Sequence, residues 1–325
     1  MKAVVCNSFD GWKQLELGEM PAPKAKPGFV VVEVKAAGLN FPDLLLVAGQ
    51  YQMKPPLPFV PGSECAGIIR EVGEGVSNFQ VGDRVIAYTM LGGMGEQVLT
   101  PTTNLVPMPE AMPFANGAGL TTTYATSYYA LKQRANLQAG ETVLVLGAAG
   151  GVGLAAVELA KAMGAIVIAG ASTQDKLDTA TAHGADFTIN YSDENIKEQI
   201  KQITKGKGVD VIYDPVGGDL SELAFRSMAF NGRFLVVGFA AGDIPKIPLN
   251  LPLLKTAAII GVFWGAWAMH DPKAHVQNMG ELMQMYNAGK IKVTVSKQIP
   301  LADFSQGFAD LAERRAQGKL VLVMG

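Results

Sequence analysis

Residues 142–165, TVLVLGAAGGVGLAAVELAKAMGA, constrain the fold more than any other stretch. A buried-type strand over Thr142–Leu146 runs into Gly147-Ala148-Ala149-Gly150-Gly151-Val152-Gly153. A helical pattern over Val152–Met163 starts at once, and Gly164 follows as a C-cap. In such a strand–loop–helix turn, Gly150 lets backbone approach a pyrophosphate and Gly153 lets the helix pack close on its strand. The free N–H groups at the helix start then favour the anion. Ala148 stands where G-x-G-x-x-G has its first glycine, so the strict pattern fails by one methyl. The competing reading is a tight turn with no ligand.

The segments C-terminal to this loop favour the dinucleotide. Strands are expected at Ala165–Gly170, Phe187–Asn190, Val209–Asp214 and Arg233–Val237. Helices are expected at Gln174–His183 (closed by Gly184), Glu194–Thr204 and about Leu220–Phe230. Strand–helix alternation at this spacing builds a parallel sheet from right-handed βαβ units.

Residues 1–120 have a different texture. Phe29–Val34 and Ala66–Val72 are β-branched runs, punctuated by Pro27-Gly28, Pro61-Gly62 and Gly82-Asp83, which predicts a compact β-rich domain. After the βα series come an apolar strand at Ala258–Phe263, helices at about Lys273–Asn287 and Asp303–Arg315, and a last strand at Leu320–Val323. This tail is too short for a domain of its own and is expected to pack back onto the first domain.

An NAD site usually places Asp or Glu at the end of its second strand, on the ribose 2′-OH. Here that stretch is Ala169-Gly170-Ala171-Ser172-Thr173, with no acid before Asp175. Lys176 supplies a positive charge and Tyr191 a hydroxyl, so NADPH is expected over NADH. The plainer readings are a solvated lysine and a loop tyrosine.

Other function classes are disfavoured. A net charge of −2 with no basic block argues against nucleic acid. Two cysteines, Cys6 and Cys65, are too few for a disulfide scaffold or a cysteine-rich zinc site and fit a reducing, cytoplasmic compartment. The apolar start MKAVVC is soon followed by Asp10 and Lys13, unlike a signal peptide. The glycine-bearing run is too short for a membrane helix, which needs about 20 largely apolar residues, so no membrane role is expected.

The chain resembles the medium-chain dehydrogenase/reductase superfamily, within it the zinc-independent NADPH:quinone oxidoreductases. The likeness rests on AAGLNFPDLLLVAGQY at 36–51, LPFVPGSECAG at 57–67, VGDRV at 81–85, AAGGVG at 148–153, INY at 189–191, VIYDPVGG at 211–218, VVGFAAGDIPKIPLNLPLLK at 236–255 and GKLVLV at 318–323, in that order. It implies an α/β protein. A GroES-like, partly open β-barrel domain spans residues 1–121 plus 256–325, and a Rossmann domain over 122–255 is inserted between them, with the active cleft between the lobes. Where zinc-dependent relatives carry a cysteine ligand and a His-Glu pair, this chain has Asn40 and Ser63-Glu64, so no metal site is expected.

The same resemblance assigns site residues. Asn40 and Thr126 match positions near the nicotinamide. Ala149, Gly150, Gly151 and Val152 match the pyrophosphate cradle, and Ser172, Lys176 and Tyr191 the 2′-phosphate pocket. Gly238-Phe239-Ala240 and Phe263-Trp264-Gly265 match loops walling the ribose and ring, although the three aromatics also read as plain core. Tyr51 with Asn40 is the candidate to hydrogen-bond an acceptor oxygen as charge develops; Tyr51 also reads as a loop tyrosine. His183, His270 and His275 are assigned to structure.

Three functions remain open at this point: an NADPH-dependent quinone reductase, an enone or enoyl-thioester reductase, and a non-enzymatic NADPH-binding protein. The charge-free stretch TAAIIGVFWGAWAM at 256–269 is expected to supply an edge strand that pairs with its own copy in a homodimer.

Overall fold

The computed structural model describes residues 1–193 and 195–325. The backbone packs into two compact units, Met1–Thr122 with Val293–Gly325, and Thr123–Lys292. In chain order the strands are β1 (Lys2–Val5), β2 (Glu16–Glu19), β3 (Phe29–Leu39), β4 (Glu64–Val72), β5 (Arg84–Tyr88), β6 (Gln97–Pro101), β7 (Leu105–Pro107), β8 (Thr142–Leu146), β9 (Ile166–Ala171), β10 (Phe187–Asn190), β11 (Val209–Asp214), β12 (Met228–Val236), β13 (Ala258–Gly261), β14 (Val295–Pro300) and β15 (Lys319–Val323).

The first unit is GroES-like and centres on β3. In its sheet the order is β14-β15-β3-β4-β5-β7, with β6 also paired to β3. One side of β3 carries β4. Its other side is shared, β6 opposite Phe29–Glu33 and β15 opposite Ala36–Leu39. A strand with partners along both sides and buried residues on both faces needs short β-branched side chains, which FVVVEV supplies. Val30, Val32, Val34, Ile69, Phe308, Leu320 and Leu322 join in its core.

The second unit is a parallel six-stranded sheet in the order β10-β9-β8-β11-β12-β13. Counted within the unit this is 3-2-1-4-5-6, the doubly wound Rossmann order, with its topological switch between β8 and β11. All of β11, and all of β8 after Thr142, is buried, as expected of central parallel strands covered on both faces. Phe225 and Phe234 pack with ring centroids 5.6 Å apart beneath the sheet. Both chain ends of the unit converge on the helix Gly151–Ala162: Glu158 Oε2 accepts from Tyr124 Oη and from the Lys292 N–H, each at 2.8 Å.

Several boundaries differ from the sequence reading. The second division between the units falls after Lys292, not at 255/256. β13 joins the parallel sheet beside β12, and residues 264–287 form the helices Trp264–His270 and Pro272–Asn287 in the same unit. Only Val293–Gly325 returns to the first unit. The helix expected over Leu220–Phe230 runs Asp219–Arg226, because Met228 opens β12 opposite Val209. The expected strand at Ala258–Phe263 stops at Gly261. The polar helix spans Ile196–Ile203, and Glu194, its expected start, lies outside the described residues. Among the described residues no helix is long and apolar enough to cross a membrane.

Candidate active site

The glycine loop sits at the topological switch. The helix Gly151–Ala162 begins with Gly150 as N-cap and no side chain caps it. Its first N–H groups therefore have no acceptor within the helix and point outward as anion donors. A Cβ on Gly153 would lie 2.2 Å from the Gly147 carbonyl oxygen, so only glycine lets the helix start this close to β8. The loop after β11 borders it, with Val216 against Gly147. Asp214 braces that second loop: its carboxylate accepts from the Val216 and Gly217 N–H groups at 2.8 and 2.9 Å and from Ser221 Oγ at 2.5 Å. Burial raises the Asp214 pKa against the pull of those donors.

The loop after β12 is tied to the same place. Ala240 N–H donates to Pro215 O at 3.1 Å and Ala241 N–H to Val216 O at 2.7 Å, which sets Gly238, Phe239 and Ala240 beside the β11 loop. Phe263 is 54% exposed and caps the helix Trp264–His270, just beyond the end of β13. Trp264 is buried, with His275 edge-on at 5.5 Å, and Gly265 follows it. Thr126 is half-buried and opens the short helix Thr126–Tyr129. The loops after β8, β11, β12 and β13 thus share the C-terminal edge of the sheet, where open α/β sheets bind ligands.

The end of β9 carries the other predicted group. Tyr191 N–H donates to Ala171 O at 3.0 Å, and Ser192 Oγ donates to Ser172 O at 3.1 Å. These bonds hold Tyr191 next to the Ala171-Ser172 turn. Lys176 lies in the first turn of the helix Gln174–Ala182, whose cap is Thr173. Asp175, the one acid there, is exposed.

In the first unit the resemblance singled out Asn40 and Tyr51, and the structure adds Asp43, Glu64, Tyr88 and Lys319. Asn40, Asp43, Glu64 and Lys319 are all buried. The Lys319 ammonium donates to Asn40 Oδ1 and to Glu64 Oε1, both at 2.5 Å. Asn40 Nδ2 donates to Glu64 Oε1 at 2.8 Å, and the Thr122 N–H donates to Glu64 Oε2 at 2.8 Å. A second weak contact runs from Asn40 Nδ2 to Gly38 O at 3.4 Å. Asn40 therefore commits its amide to the protein, and it also caps the helix Phe41–Val47 reciprocally with Asp43. Tyr51 is half-buried, and its hydroxyl has no hydrogen-bond partner among the described residues. Burial, with Asp43 nearby, pushes the Tyr51 phenol up, and burial raises Tyr88 to about 12. Both stay protonated at neutral pH, so each hydroxyl has a proton to donate there.

A signal for the missed residues was present. Glu64 and Lys319 are lone charges inside otherwise apolar strand sequence, ECAGII and KLVLV, where a solvated face offers no place for them. Their partners, 255 positions apart, could not be read from spacing.

Residues 26–110 match the family described as alcohol dehydrogenase GroES-like domain, and residues 151–284 the family described as zinc-binding dehydrogenase. The chain is 38% identical over 323 residues to a quinone oxidoreductase-like protein 2 homolog of Nematostella vectensis, covering 99% of this chain and 88% of that one. It superposes with a TM-score of 0.91 on Escherichia coli quinone oxidoreductase complexed with NADPH, at 30% identity over 99% of this chain and 100% of that one. The CurK enoyl reductase is similar as well, with a TM-score of 0.90 and 29% identity over 100% and 99% of the two chains.

Asp43 gives a pH test. Burial, outweighing the Asn40 and Gly62 N–H groups and Lys319, raises its carboxyl from 3.8 to about 7. The native state therefore holds a proton that the unfolded chain has lost between these values. Stability from this group falls as pH rises through that window, by at most about 1.4 kcal/mol per pH unit. Asp43→Asn should remove this part of the slope, so that the Tm difference between pH 5 and pH 8 is smaller than in wild type by thermal unfolding.

Proposed function

We propose that this chain, which belongs to the quinone oxidoreductase branch of the medium-chain dehydrogenase/reductase superfamily, reduces a quinone. At the coarser level it is an NADPH-dependent oxidoreductase. When bound, NADPH supplies the hydride, which carries both electrons; a proton completes the hydroquinone. The residues present fit the nucleotide: an uncapped helix start, a Gly153 that lets this helix start pack directly against the Gly147 backbone, and no carboxylate on the Ala171-Ser172 turn.

The observation that carries the quinone reading is the Tyr51 phenol, a protonated donor with no partner among the described residues. It donates to the acceptor oxygen as negative charge develops, which such donors stabilise most in a water-poor site. Asn40 holds the start of the helix that leads to Tyr51. In the second unit, Ala149, Gly150, Gly151 and Val152 take the pyrophosphate and Ser172, Lys176 and Tyr191 the 2′-phosphate. Thr126, Gly238-Phe239-Ala240 and Phe263-Trp264-Gly265 wall the nicotinamide end. The likeness to CurK enoyl reductase supports a second reading, reduction of a conjugated C=C bond, with Tyr51 then handing over a proton.

Turnover with NADPH against a panel of quinones and enones separates the readings. Quinones should give the higher kcat/KM, and Tyr51→Phe should lower it by about a hundredfold. Higher kcat/KM on enones would select the second reading, and no turnover on either class would end both.

For the nucleotide, Ala171→Asp places a carboxylate on the turn that we assign to the 2′-phosphate. NADPH binding should weaken while NADH binding holds, so the NADPH:NADH preference should fall at least about tenfold in kcat/KM.

We also assign the chain to a cytoplasmic homodimer joined through β13. That strand is the sheet's edge, with Ala258, Ile259 and Gly261 exposed. Nearby in sequence, Leu249, Leu253 and Leu254 are each more than 70% exposed, which an isolated subunit would leave to water. Pairing with a second copy supplies the missing ladder partners. Sedimentation should give a dimer for wild type at micromolar concentration. The Val262 N–H bonds Val236 on β12, so by alternation the Ile259 N–H faces the free edge, and Ile259→Pro, which removes that donor, should shift the protein to monomer.

A further inference from the structure

The side of the helix start away from the anion is held by two buried hydroxyls that no part of the nucleotide reading uses. Ser127 and Tyr213 are fully buried. Ser127 Oγ lies 2.9 Å from the Val152 carbonyl oxygen and 2.8 Å from Tyr213 Oη. The direction of the chain is set by proton counting. A carbonyl can only accept, so the one Ser127 proton goes to Val152. Tyr213 must then donate to Ser127. Burial pushes the Tyr213 phenol well above its ordinary value, which keeps that proton in place.

The chain ends on a group that does not need it. The Val152 carbonyl already has its helical donor in the N–H four residues on. Phenylalanine and alanine would fill the two positions without burying any hydroxyl. What the extra bond does reach is the Val152–Gly153 peptide. This is a single conjugated plane, so a donor on its oxygen makes its N–H a stronger donor. That N–H belongs to Gly153, in the uncapped first turn.

We propose that Tyr213 and Ser127 are positioning residues for the dinucleotide pyrophosphate, holding and polarising the Val152–Gly153 peptide from behind. The inference rests on the glycine loop being the nucleotide site. It adds that β11 takes part in binding through a neutral relay. The pyrophosphate is common to both nicotinamide nucleotides, so the relay strengthens binding without choosing between them.

The test is equilibrium binding of NADPH and of NADH, measured by titration calorimetry, beside thermal unfolding of the free proteins. Ser127→Ala should weaken both nucleotides about three- to tenfold, with their ratio unchanged. It should also lower Tm, because it leaves the Tyr213 hydroxyl buried without an acceptor. Adding Tyr213→Phe removes that orphan and should restore part of the Tm but none of the affinity. Tyr213→Phe alone, which keeps the ring, should weaken both nucleotides about twofold and carries the test if Ser127→Ala does not fold. Affinity that is unchanged in the variants, or that returns with Tm in the double variant, overturns the relay. Wild-type protein that binds neither nucleotide overturns the site reading beneath it.

Discussion

The Lys319 ammonium, enclosed by the Asn40 and Glu64 oxygens, closes the first unit. Neither charge of the pair could stay buried alone; removing one partner of such a pair costs about 3–5 kcal/mol. Glu64 spends its other oxygen on the Thr122 N–H, where the chain leaves the unit. Gly38 must lack a side chain, since a Cβ there would stand 2.6 Å from Glu64 Oε1. β3, β4, β15 and the exit of the chain therefore meet on one carboxylate. Lys319 opens β15, so this arrangement cannot be completed until that strand has returned to the unit. The physical consequence is a discontinuous unit, with the parallel-sheet unit inserted into its sequence.

The inserted unit has an equivalent point in Glu158, which takes the Tyr124 hydroxyl and the Lys292 N–H together. The carboxylate rides on the helix that starts at the glycine loop, so the segments that enter and leave the unit are referred to the same element that carries the anion donors. A long-range acid in each unit thus marks where the chain crosses, and the two do it with different chemistry. Glu64 is matched by an ammonium, whereas Glu158 takes a phenol and a backbone amide on one oxygen and has the His183 imidazole 3.7 Å from the other.

Local physics makes much of this legible in the sequence. β8 and β11 fall where the apolar runs place them, because central parallel strands are buried on both faces and their sequence shows it. The glycine loop is readable because its requirements lie within seven residues. Lys319 and Glu64 are not, since what makes each tolerable is a partner brought by another part of the chain. The second division between the units is misplaced for a related reason. Residues 256–292 look like the start of a returning tail until β13 is seen to add to the parallel sheet. Asn40 shows how a correct position can carry an incomplete role: the sequence points it at an acceptor, while its amide is engaged by Glu64, Gly38 and Lys319.

In the site we propose, the second unit meets a pyrophosphate with no charged residue anywhere in Gly147–Gly153. A lysine in that loop would attract a pyrophosphate more strongly in water, but it would also need solvent around it. The loop instead packs tightly enough that Gly153 cannot accept a methyl, which leaves room only for backbone donors. Fixed dipoles need little reorganisation when the anion arrives, so their strength depends on orientation and on what lies behind each peptide. On that proposal the rigid surroundings of the loop, Val216 against Gly147 and Ser127 with Tyr213 on the Val152 carbonyl, contribute to binding. The full charge, Lys176, stands half-buried in the first turn of the helix after β9, where we assign the 2′-phosphate. On these assignments, backbone dipoles serve the tight glycine loop and an ammonium serves the helix after β9.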